Sequence, residues 1–223
     1  MNVKIVNTGS DGNCFLFGDS LLLDLGVSYK KLTGALGMDI GKISHVLLTH
    51  IHGDHFNETC VRKMFVNTDA IFVCGTWLID RLVSLGIDHE RILMVETGAI
   101  YDIGDFKISP VKAYHDVENC GYRIVLGDHK HFHITDTSTL EGITAKGYDT
   151  ATIECNHCEV KAMELIEEAN EKGEFSHLTG AINSHLSVQQ TIEFCKHNGI
   201  KKLTPVHIGS STKKEVVEAL KRW

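Results

Sequence analysis

The chain has 223 residues, of which 43% are hydrophobic and 23% charged, a composition ordinary for a globular protein with one sizeable core. Its formal net charge of −7 argues against broad affinity for nucleic acids, because phosphate binding needs a surface of Lys and Arg. No apolar run approaches the roughly 18 residues of a membrane-spanning helix, so we expect no membrane segment.

In the first hundred residues, short apolar runs alternate with amphipathic stretches, which predicts alternating strands and helices. The apolar runs predict strands at residues 3–6, 14–17, 21–25, 45–49, 70–74 and 92–95. The amphipathic stretches predict helices at residues 28–36, 56–65 and 76–85. Ser28 is the expected cap of the first helix, and Gly37 is its expected end. Residues 9–13, rich in glycine, form the turn between the first two strands.

From residue 100 onward, several strands follow one another directly. The pattern predicts strands at residues 106–114, 121–126, 131–135, 150–154 and 203–206, and helices at residues 161–171, 188–197 and 212–222. Such an order predicts an α/β protein with two sheets flanked by helices. Since the chain has two prolines and no linker, we expect one domain over residues 1–223.

The compartment is predicted from the cysteines and from the first residues of the chain. Seven scattered cysteines show no disulfide-like framework, which favours a reducing environment. Residues 1–5 lack the long apolar stretch of a signal peptide. We therefore expect a cytoplasmic protein.

The most informative segment is residues 50–55, His-Ile-His-Gly-Asp-His, directly after the predicted strand at residues 45–49. No ordinary packing need explains three imidazoles and a carboxylate in one short loop. A turn with Asp54 as helix cap would explain that residue alone. Neutral His nitrogens and carboxylate oxygens are the ligands of Zn²⁺ and related divalent ions, so the segment predicts a metal site.

Three further candidate ligands each follow a predicted strand. His115 follows residues 106–114, Asp136 follows residues 131–135, and His207 follows residues 203–206. Loops gather at strand ends, and sites are built there. The full set of candidate ligands is His50, His52, Asp54, His55, His115, Asp136 and His207. Seven ligands exceed the need of one tetrahedral ion and suit two ions.

The order His-x-His-x-Asp-His, then His, then Asp, then His resembles the metallo-β-lactamase-fold hydrolases over nearly the whole chain. The glycine turn at residues 9–13 and the segments 134–137 and 205–207 are similar to the phosphodiesterase branch, which includes ribonuclease Z and ribonuclease J. Asp rather than Cys at position 136 resembles a two-metal phosphodiesterase more than a true β-lactamase. The resemblance implies a four-layer αββα sandwich of two mixed β-sheets flanked by helices.

The resemblance also implies how the ligands are divided between two ions. His50, His52 and His115 would hold one ion, Asp54, His55 and His207 would hold the second, and Asp136 would bridge both together with a hydroxide. Asp54 and Asp136 would thereby also be catalytic. Two cations about 3.5–4 Å apart acidify a shared water and steady the attacking and leaving oxygens at phosphorus. The mixed His and Asp set favours Zn²⁺, with Mn²⁺ as the alternative.

His185 lies just before the predicted helix at residues 188–197. It resembles the non-ligand His of the ribonuclease branch, which touches the scissile phosphate and helps the leaving oxygen depart. A protonated His near neutral pH suits both tasks, and the alternative is a helix-entry His beside a capping Ser187. Ser187 and Asn13 are further candidate substrate contacts, although Asn13 suits the support of its own turn equally well.

Other polar clusters are expected to have structural roles. His129, His131 and His133 alternate along one predicted strand, so they share a face that we expect to be solvated. Residues 155–158, Cys-Asn-His-Cys, lack the second half of a zinc site and predict a strand-end loop near the site. Asp116 either orients the neighbouring imidazole or turns the chain.

Three hypotheses about the substrate remain open. The compact acidic chain is similar in size and motifs to phage-encoded anti-Pycsar phosphodiesterases, homodimers that destroy 3′,5′-cyclic nucleotides. Gly121-Tyr122 and the His-Leu-Ser stretch resemble small exonucleases of the same branch, which would make single-stranded nucleic acid the substrate. The third hypothesis is a thioester or other ester hydrolase, or a metal-binding protein without activity, although a complete ligand set argues against inactivity.

Overall fold

The computed structural model describes residues 1–223 and contains twelve β-strands and seven α-helices. The strands are β1 (Val3–Asn7), β2 (Cys14–Phe17), β3 (Leu21–Leu23), β4 (His45–Leu47), β5 (Ile71–Cys74), β6 (Ile92–Met94), β7 (Tyr101–Ile103), β8 (Phe106–Ala113), β9 (Asn119–Leu126), β10 (His129–Ile134), β11 (Thr150–Glu154) and β12 (Lys202–Val206). The helices are α1 (Tyr29–Leu36), α2 (Glu58–Asn67), α3 (Ile79–Ser84), α4 (Glu159–Glu171), α5 (Leu178–Ser184), α6 (Val188–Asn198) and α7 (Lys213–Arg222). None of these helices combines the length and the apolar character that a membrane span requires.

The strands form two six-stranded sheets, with the orders β1-β2-β3-β4-β5-β6 and β12-β11-β10-β9-β8-β7. In the first sheet, β1 to β3 pair antiparallel, whereas β3 to β6 pair parallel. In the second sheet, β10 to β12 pair parallel, whereas β7 and β8 pair antiparallel. Both sheets are mixed and flanked by helices, which confirms the predicted α/β class.

The chain divides into two compact units. The first unit comprises Met1–Pro110 with Val125–Asp128, and the second comprises Val111–Ile124 with His129–Trp223. The single domain expected from the sequence stays a prediction.

The core of the first unit lies along the central strands of the first sheet. Leu22, Val46 and Phe72 pair across β3, β4 and β5, and all three are fully buried in one apolar cluster. Parallel strands covered on both faces are apolar along their whole length, which explains the short apolar runs of the sequence. Strand β4 leads from this core toward residues 50–55, so the motif stands on a rigid base.

In the second unit, three parallel strands end at one edge of the sheet. The register pairs Glu154 with Val206, and β10 pairs with β11 on the other side. Asp136 follows β10, Glu154 ends β11, and His207 follows β12. Ligands of α/β sheets bind outside the carboxyl ends of parallel strands, so this edge is well placed for a site.

The structure differs from the sequence predictions at several element boundaries. Strand β7 has three residues and helix α5 has seven, and neither is predicted because such short elements show little periodicity. Helix α2 begins at Glu58 rather than at residue 56, because the side chain of Asn57 accepts the N–H of Cys60 and caps the helix there.

The predicted solvated face on β10 is wrong for two of its three histidines. His131 and His133 are buried, and His129 is exposed. Because β10 is an interior strand, Thr150 and Thr152 on β11 reach His131 and contact its two ring nitrogens at 2.7 and 2.8 Å. Burial lowers the pKa of His131 to about 3, so its imidazole is neutral in the folded protein.

Candidate metal centre

Residues 50–55 form a closed turn in the first unit. The backbone N–H groups of His55 and Phe56 both donate to the His52 carbonyl, at 2.9 and 2.7 Å. The ring centroid of His50 lies 4.9 Å from that of His52 and 4.3 Å from that of His55. Asp54 Oδ2 lies 3.6 Å from His55 Nε2. The turn therefore gathers the four candidate ligands of the first unit.

Asp24, just after β3, orients two imidazoles of this turn. Its Oδ2 accepts a hydrogen bond from His55 Nδ1 at 2.6 Å. Its carboxylate also accepts the Thr49 hydroxyl at 2.9 Å, and that hydroxyl lies 3.0 Å from His50 Nδ1. A carboxylate on Nδ1 fixes the proton there and makes Nε2 the electron-pair donor, the arrangement usual for metal-ligating His. Asp24 is completely buried, and burial raises the pKa of its carboxyl while His55 opposes that rise.

Asn13 ties the glycine turn to the motif. Its side-chain Oδ1 accepts the Gly9 N–H at 2.9 Å, and its backbone N–H donates to the Asp54 carbonyl at 2.6 Å. Its Nδ2 lies 2.8 Å from His55 Nε2. Asn13 is fully buried, so these contacts give it a supporting role. Its contact with substrate stays a prediction.

Two glycines allow the backbone of this turn to pack closely. A Cβ at Gly26 would lie 1.7 Å from the Asp54 carbonyl oxygen, and a Cβ at Gly12 would lie 2.1 Å from the Gly26 carbonyl oxygen. No side chain fits at such distances, so both positions require glycine. The turn that carries Asp54 is thereby held against the strand ends.

In the second unit, four ionisable side chains converge at the carboxyl edge of the parallel strands. Their ligand atoms lie within 4.8 Å of one another, and they belong to Asp136, Glu154, His185 and His207. Asp136 Oδ1 is 3.6 Å from both His185 Nδ1 and His207 Nε2. The rings of His185 and His207 stack with centroids 5.1 Å apart. Asp136 and Glu154 are buried, and two buried carboxylates this close to each other favour a cation or a protonated imidazole beside them.

Glu154 is a candidate functional residue that the sequence predictions missed. Its Oε1 accepts the backbone N–H groups of Thr137 and Leu186 at 2.8 and 3.2 Å. Its Oε2 lies 2.9 Å from His185 Nδ1. The carboxylate therefore fixes the ring of His185 and makes Nε2 the nitrogen available for chemistry. The signal in the sequence was its place at the end of a predicted strand, two residues from another polar side chain, Asn156.

The backbone is strained at the strand ends that carry these groups. Asp136 and His207 have φ angles of 54° and 50°, a region uncommon for residues with a Cβ. Amide side chains hold both conformations: Asn119 Nδ2 donates to the Asp136 carbonyl at 2.7 Å, and Asn156 Nδ2 donates to the His207 carbonyl at 3.3 Å. Asp24 shares this conformation with a φ of 57°. Strain that neighbouring groups maintain is concentrated at functional sites.

His115 follows β8, and its two ring nitrogens have different neighbours. Its Nδ1 lies 3.3 Å from the Ser184 carbonyl oxygen, and its Nε2 lies 3.1 Å from Asp116 Oδ1. The rings of His115 and His185 are 5.4 Å apart. The direct contact of Asp116 with the imidazole favours the orienting role over a mere change of chain direction.

Ser187 is buried and caps helix α6. Its hydroxyl accepts the Gln190 N–H at 3.2 Å, and the Gln190 side chain accepts the Ser187 N–H at 2.7 Å, which completes a capping box. A contact of Ser187 with substrate stays a prediction.

Residues 155–158 form a loop after β11, as the sequence indicated. Burial raises the pKa of the Cys155 thiol to about 12, which argues against a thiolate ligand there.

The donors of both units fit divalent ions. They are imidazole nitrogens and carboxylate oxygens, the set that Zn²⁺ and Mn²⁺ share. In the first unit, Asp24 and Thr49 already hold two imidazoles by Nδ1, so those rings are oriented for ligation through Nε2. The sequence predictions missed Asp24 as well, because it lies inside the strand predicted at residues 21–25, whereas Asp136 follows a predicted strand.

Comparison with known proteins identifies a matching family and a curated relative. A family model described as "Beta-lactamase superfamily domain" matches residues 21–208. Ribonuclease Z from Protochlamydia amoebophila is 29% identical over 128 residues, which are 52% of this chain and 42% of that protein. The chain therefore spans less than half the length of that curated relative.

Solved structures agree at the level of the fold. The metallo-β-lactamase fold protein YhfI from Bacillus subtilis has a TM-score of 0.76 at 17% identity, over 99% of this chain and 92% of that chain. The short form of human tRNase Z has a TM-score of 0.68 at 16% identity, over 94% of this chain and 93% of that chain. Since the family match covers most of the sequence, the chain belongs to the metallo-β-lactamase superfamily.

Proposed function

We propose that this protein is a two-metal phosphodiesterase that hydrolyses small nucleotides, with 3′,5′-cyclic mononucleotides as the preferred substrates. The observation that carries the proposal is the cluster of Asp136, Glu154, His185 and His207 at the carboxyl ends of three parallel strands. It sets a carboxylate-bound imidazole beside a buried carboxylate, the components needed to hold a cation and to deliver a proton. The similarity to a ribonuclease Z supports chemistry at phosphorus.

In this proposal, His50, His52 and His115 would hold one ion, Asp54, His55 and His207 would hold the second, and Asp136 would be a ligand of both. We propose Zn²⁺ as the resident ion, with Mn²⁺ as the alternative. When bound, the two ions acidify a water and stabilise the negative charge that develops on the phosphoryl oxygens.

The side chains of the chain itself do the remaining work. His185, held at Nδ1 by Glu154, donates a proton from Nε2 to the leaving oxygen. Asp24 keeps His55 in the tautomer that presents Nε2. The negative charges of Asp54 and Asp136 offset the mutual repulsion of the two cations.

A small substrate agrees with the charge of the protein. The chain has 22 Lys and Arg against 29 Asp and Glu, so a long polyanion meets net repulsion outside the site. A single phosphodiester needs only the local positive charge of the site. The second candidate function is a single-strand nuclease, which the 29% identity to a ribonuclease Z favours.

A substrate panel separates these functions. Protein loaded with Zn²⁺ or Mn²⁺ is incubated with 3′,5′-cyclic mononucleotides, single-stranded DNA, RNA and a thioester, and Asp136→Ala protein is the control for contaminating enzymes. Turnover of cyclic mononucleotides that is absent from the control supports the proposal. Shortening of the oligonucleotides, at a rate that falls steeply as the salt concentration rises, would indicate the nuclease instead. Turnover of the thioester alone would refute both.

The setting of the reaction is also a proposal. We propose a cytoplasmic homodimer that removes cyclic-nucleotide signals in phage-infected bacteria. All seven cysteines are free and buried, which agrees with a reducing compartment. Light scattering coupled to size-exclusion chromatography measures the mass, for which we expect twice the 24.8 kDa of the chain.

A further inference from the structure

A cavity of about 600 Å³ in the second unit has His115 in its wall. Lys112 near the end of β8 and Tyr114 just after that strand line it, together with Asp116, Ser138 and other residues of neighbouring loops. Small-molecule sites have volumes of roughly 300–1,000 Å³, so this cavity has room for a compact ligand. Its wall includes a proposed metal ligand, so a molecule bound here would lie beside the proposed metal site.

Tyr114 presents an aromatic ring on a rigid backbone. Its side chain lines the cavity, and the residue is 41% exposed. Its backbone N–H donates to Thr137 Oγ1 at 2.9 Å, and its carbonyl accepts the Ser138 N–H at 2.8 Å. Packing in the core does not explain a large exposed ring on a backbone that is held by two hydrogen bonds. An exposed aromatic face of this kind is suited to stack on a planar group, since stacking tolerates every base.

The charges in the cavity match one phosphate rather than many. Lys112 Nζ lies over the Tyr114 ring, 5.2 Å from its centroid, so a cation covers one face of the ring and a planar group would stack on the other face. The same cavity has the carboxylates of Asp116 and Glu118 in its wall. A groove that follows a polynucleotide backbone needs a continuous series of cations, and this wall offers one lysine against two carboxylates.

We infer that this cavity binds the nucleoside part of a single small phosphodiester, with its base stacked on Tyr114 and its phosphate attracted by Lys112. The inference rests on the proposed function and names the residues that recognise the substrate. A polynucleotide is disfavoured, because the two acidic side chains would repel the phosphates on either side of the one bound.

The test separates binding from chemistry. In metal-loaded protein with 3′,5′-cyclic AMP, Tyr114→Ala should raise KM about 10-fold and leave kcat within about twofold, because one stacking contact is lost. Tyr114→Phe is the matched control, which keeps the ring and should keep the KM of the unsubstituted protein. Lys112→Ala should raise KM several-fold and make KM less sensitive to salt.

The outcomes also separate this inference from the proposed function. If cyclic AMP is hydrolysed and Tyr114→Ala leaves KM unchanged, the inference is wrong and the proposed function stands. If the unsubstituted protein hydrolyses no phosphodiester, the proposed function is wrong, and titration calorimetry with 5′-AMP decides the cavity. If the unsubstituted protein binds 5′-AMP and Tyr114→Ala weakens that binding, the inference is supported. If the unsubstituted protein does not bind 5′-AMP, the inference is wrong. Hydrolysis of oligonucleotides alone, with KM unaffected by Tyr114→Ala, overturns it too.

Discussion

Replacement of Glu154 by glutamine tests the proposed proton donor, His185, most sharply. In the native chain, Glu154 Oε1 accepts two backbone N–H groups, and Oε2 lies 2.9 Å from His185 Nδ1. Glutamine has nearly the same shape, and its oxygen can keep both backbone bonds. Its NH₂ group then faces Nδ1 and donates, so the imidazole must carry its one proton on Nε2 and is disfavoured as a cation. The substitution therefore alters the chemistry and preserves the packing.

The expected magnitudes follow from these contacts. General acid catalysis contributes about 10²–10⁴-fold, so Glu154→Gln should lower kcat for a cyclic nucleotide by at least about 10²-fold. Because the two backbone bonds persist, the free energy of unfolding should fall by less than about 1.5 kcal/mol. Glu154→Ala, by contrast, leaves two buried N–H groups without acceptors, at about 1–3 kcal/mol each.

The assay compares two leaving groups. A cyclic nucleotide expels a sugar alkoxide that needs a proton, whereas bis(4-nitrophenyl) phosphate expels a stable phenolate that does not. Glu154→Gln should therefore lose much more activity on the first substrate than on the second, with its metal content unchanged. Glu159→Gln, at an exposed position on α4, is the control and should behave as the unsubstituted protein. Equal losses on both substrates, or no loss at all, would refute the role assigned to the Glu154–His185 pair.

Three further predictions concern the ligands, their support and the buried histidine of the second sheet. Asp136→Ala should abolish hydrolysis and lower the metal content measured by elemental analysis, and undiminished activity would remove the two-ion mechanism. Asp24→Asn should weaken metal affinity about 10–100-fold in chelator competition, because His55 loses the carboxylate on Nδ1, and unaltered affinity would contradict that support. Burial lowers the pKa of His131 to about 3, whereas the pKa of an unfolded His is near 6.5. The contribution of the neutral imidazole to the free energy of unfolding is therefore complete above pH 6.5 and is lost as the pH falls toward 3. In urea unfolding at pH 7 and pH 5, His131→Asn should reduce the loss of stability on acidification by about 1–2 kcal/mol, and an identical loss in both proteins would contradict burial as the cause.

Much of the fold could be predicted from the sequence, because apolar runs and caps have local signatures. Strands β2 and β11 match their predicted bounds, and helix α1 begins after Ser28, whose side chain accepts the Lys31 N–H. Elements of three to seven residues, such as β7 and α5, lack enough periods to be seen. Their formation depends on tertiary packing.

The candidate ligands could be named from the sequence, but their support could not. Residues 50–55 form a local pattern, and His115, Asp136 and His207 follow strands that periodicity reveals. Asp24 and Glu154 act through partners 31 residues away in each case, a separation that no local pattern reports. The burial of His131 and His133 likewise depends on which strand neighbours β10, which is a property of the sheet order.

The metal stoichiometry tests the central claim most directly. Folded protein is saturated with Mn²⁺ or Zn²⁺, dialysed against metal-free buffer and analysed for bound metal per chain. We predict two equivalents for the unsubstituted protein. One equivalent or less under saturating conditions would contradict a paired-ion hydrolase.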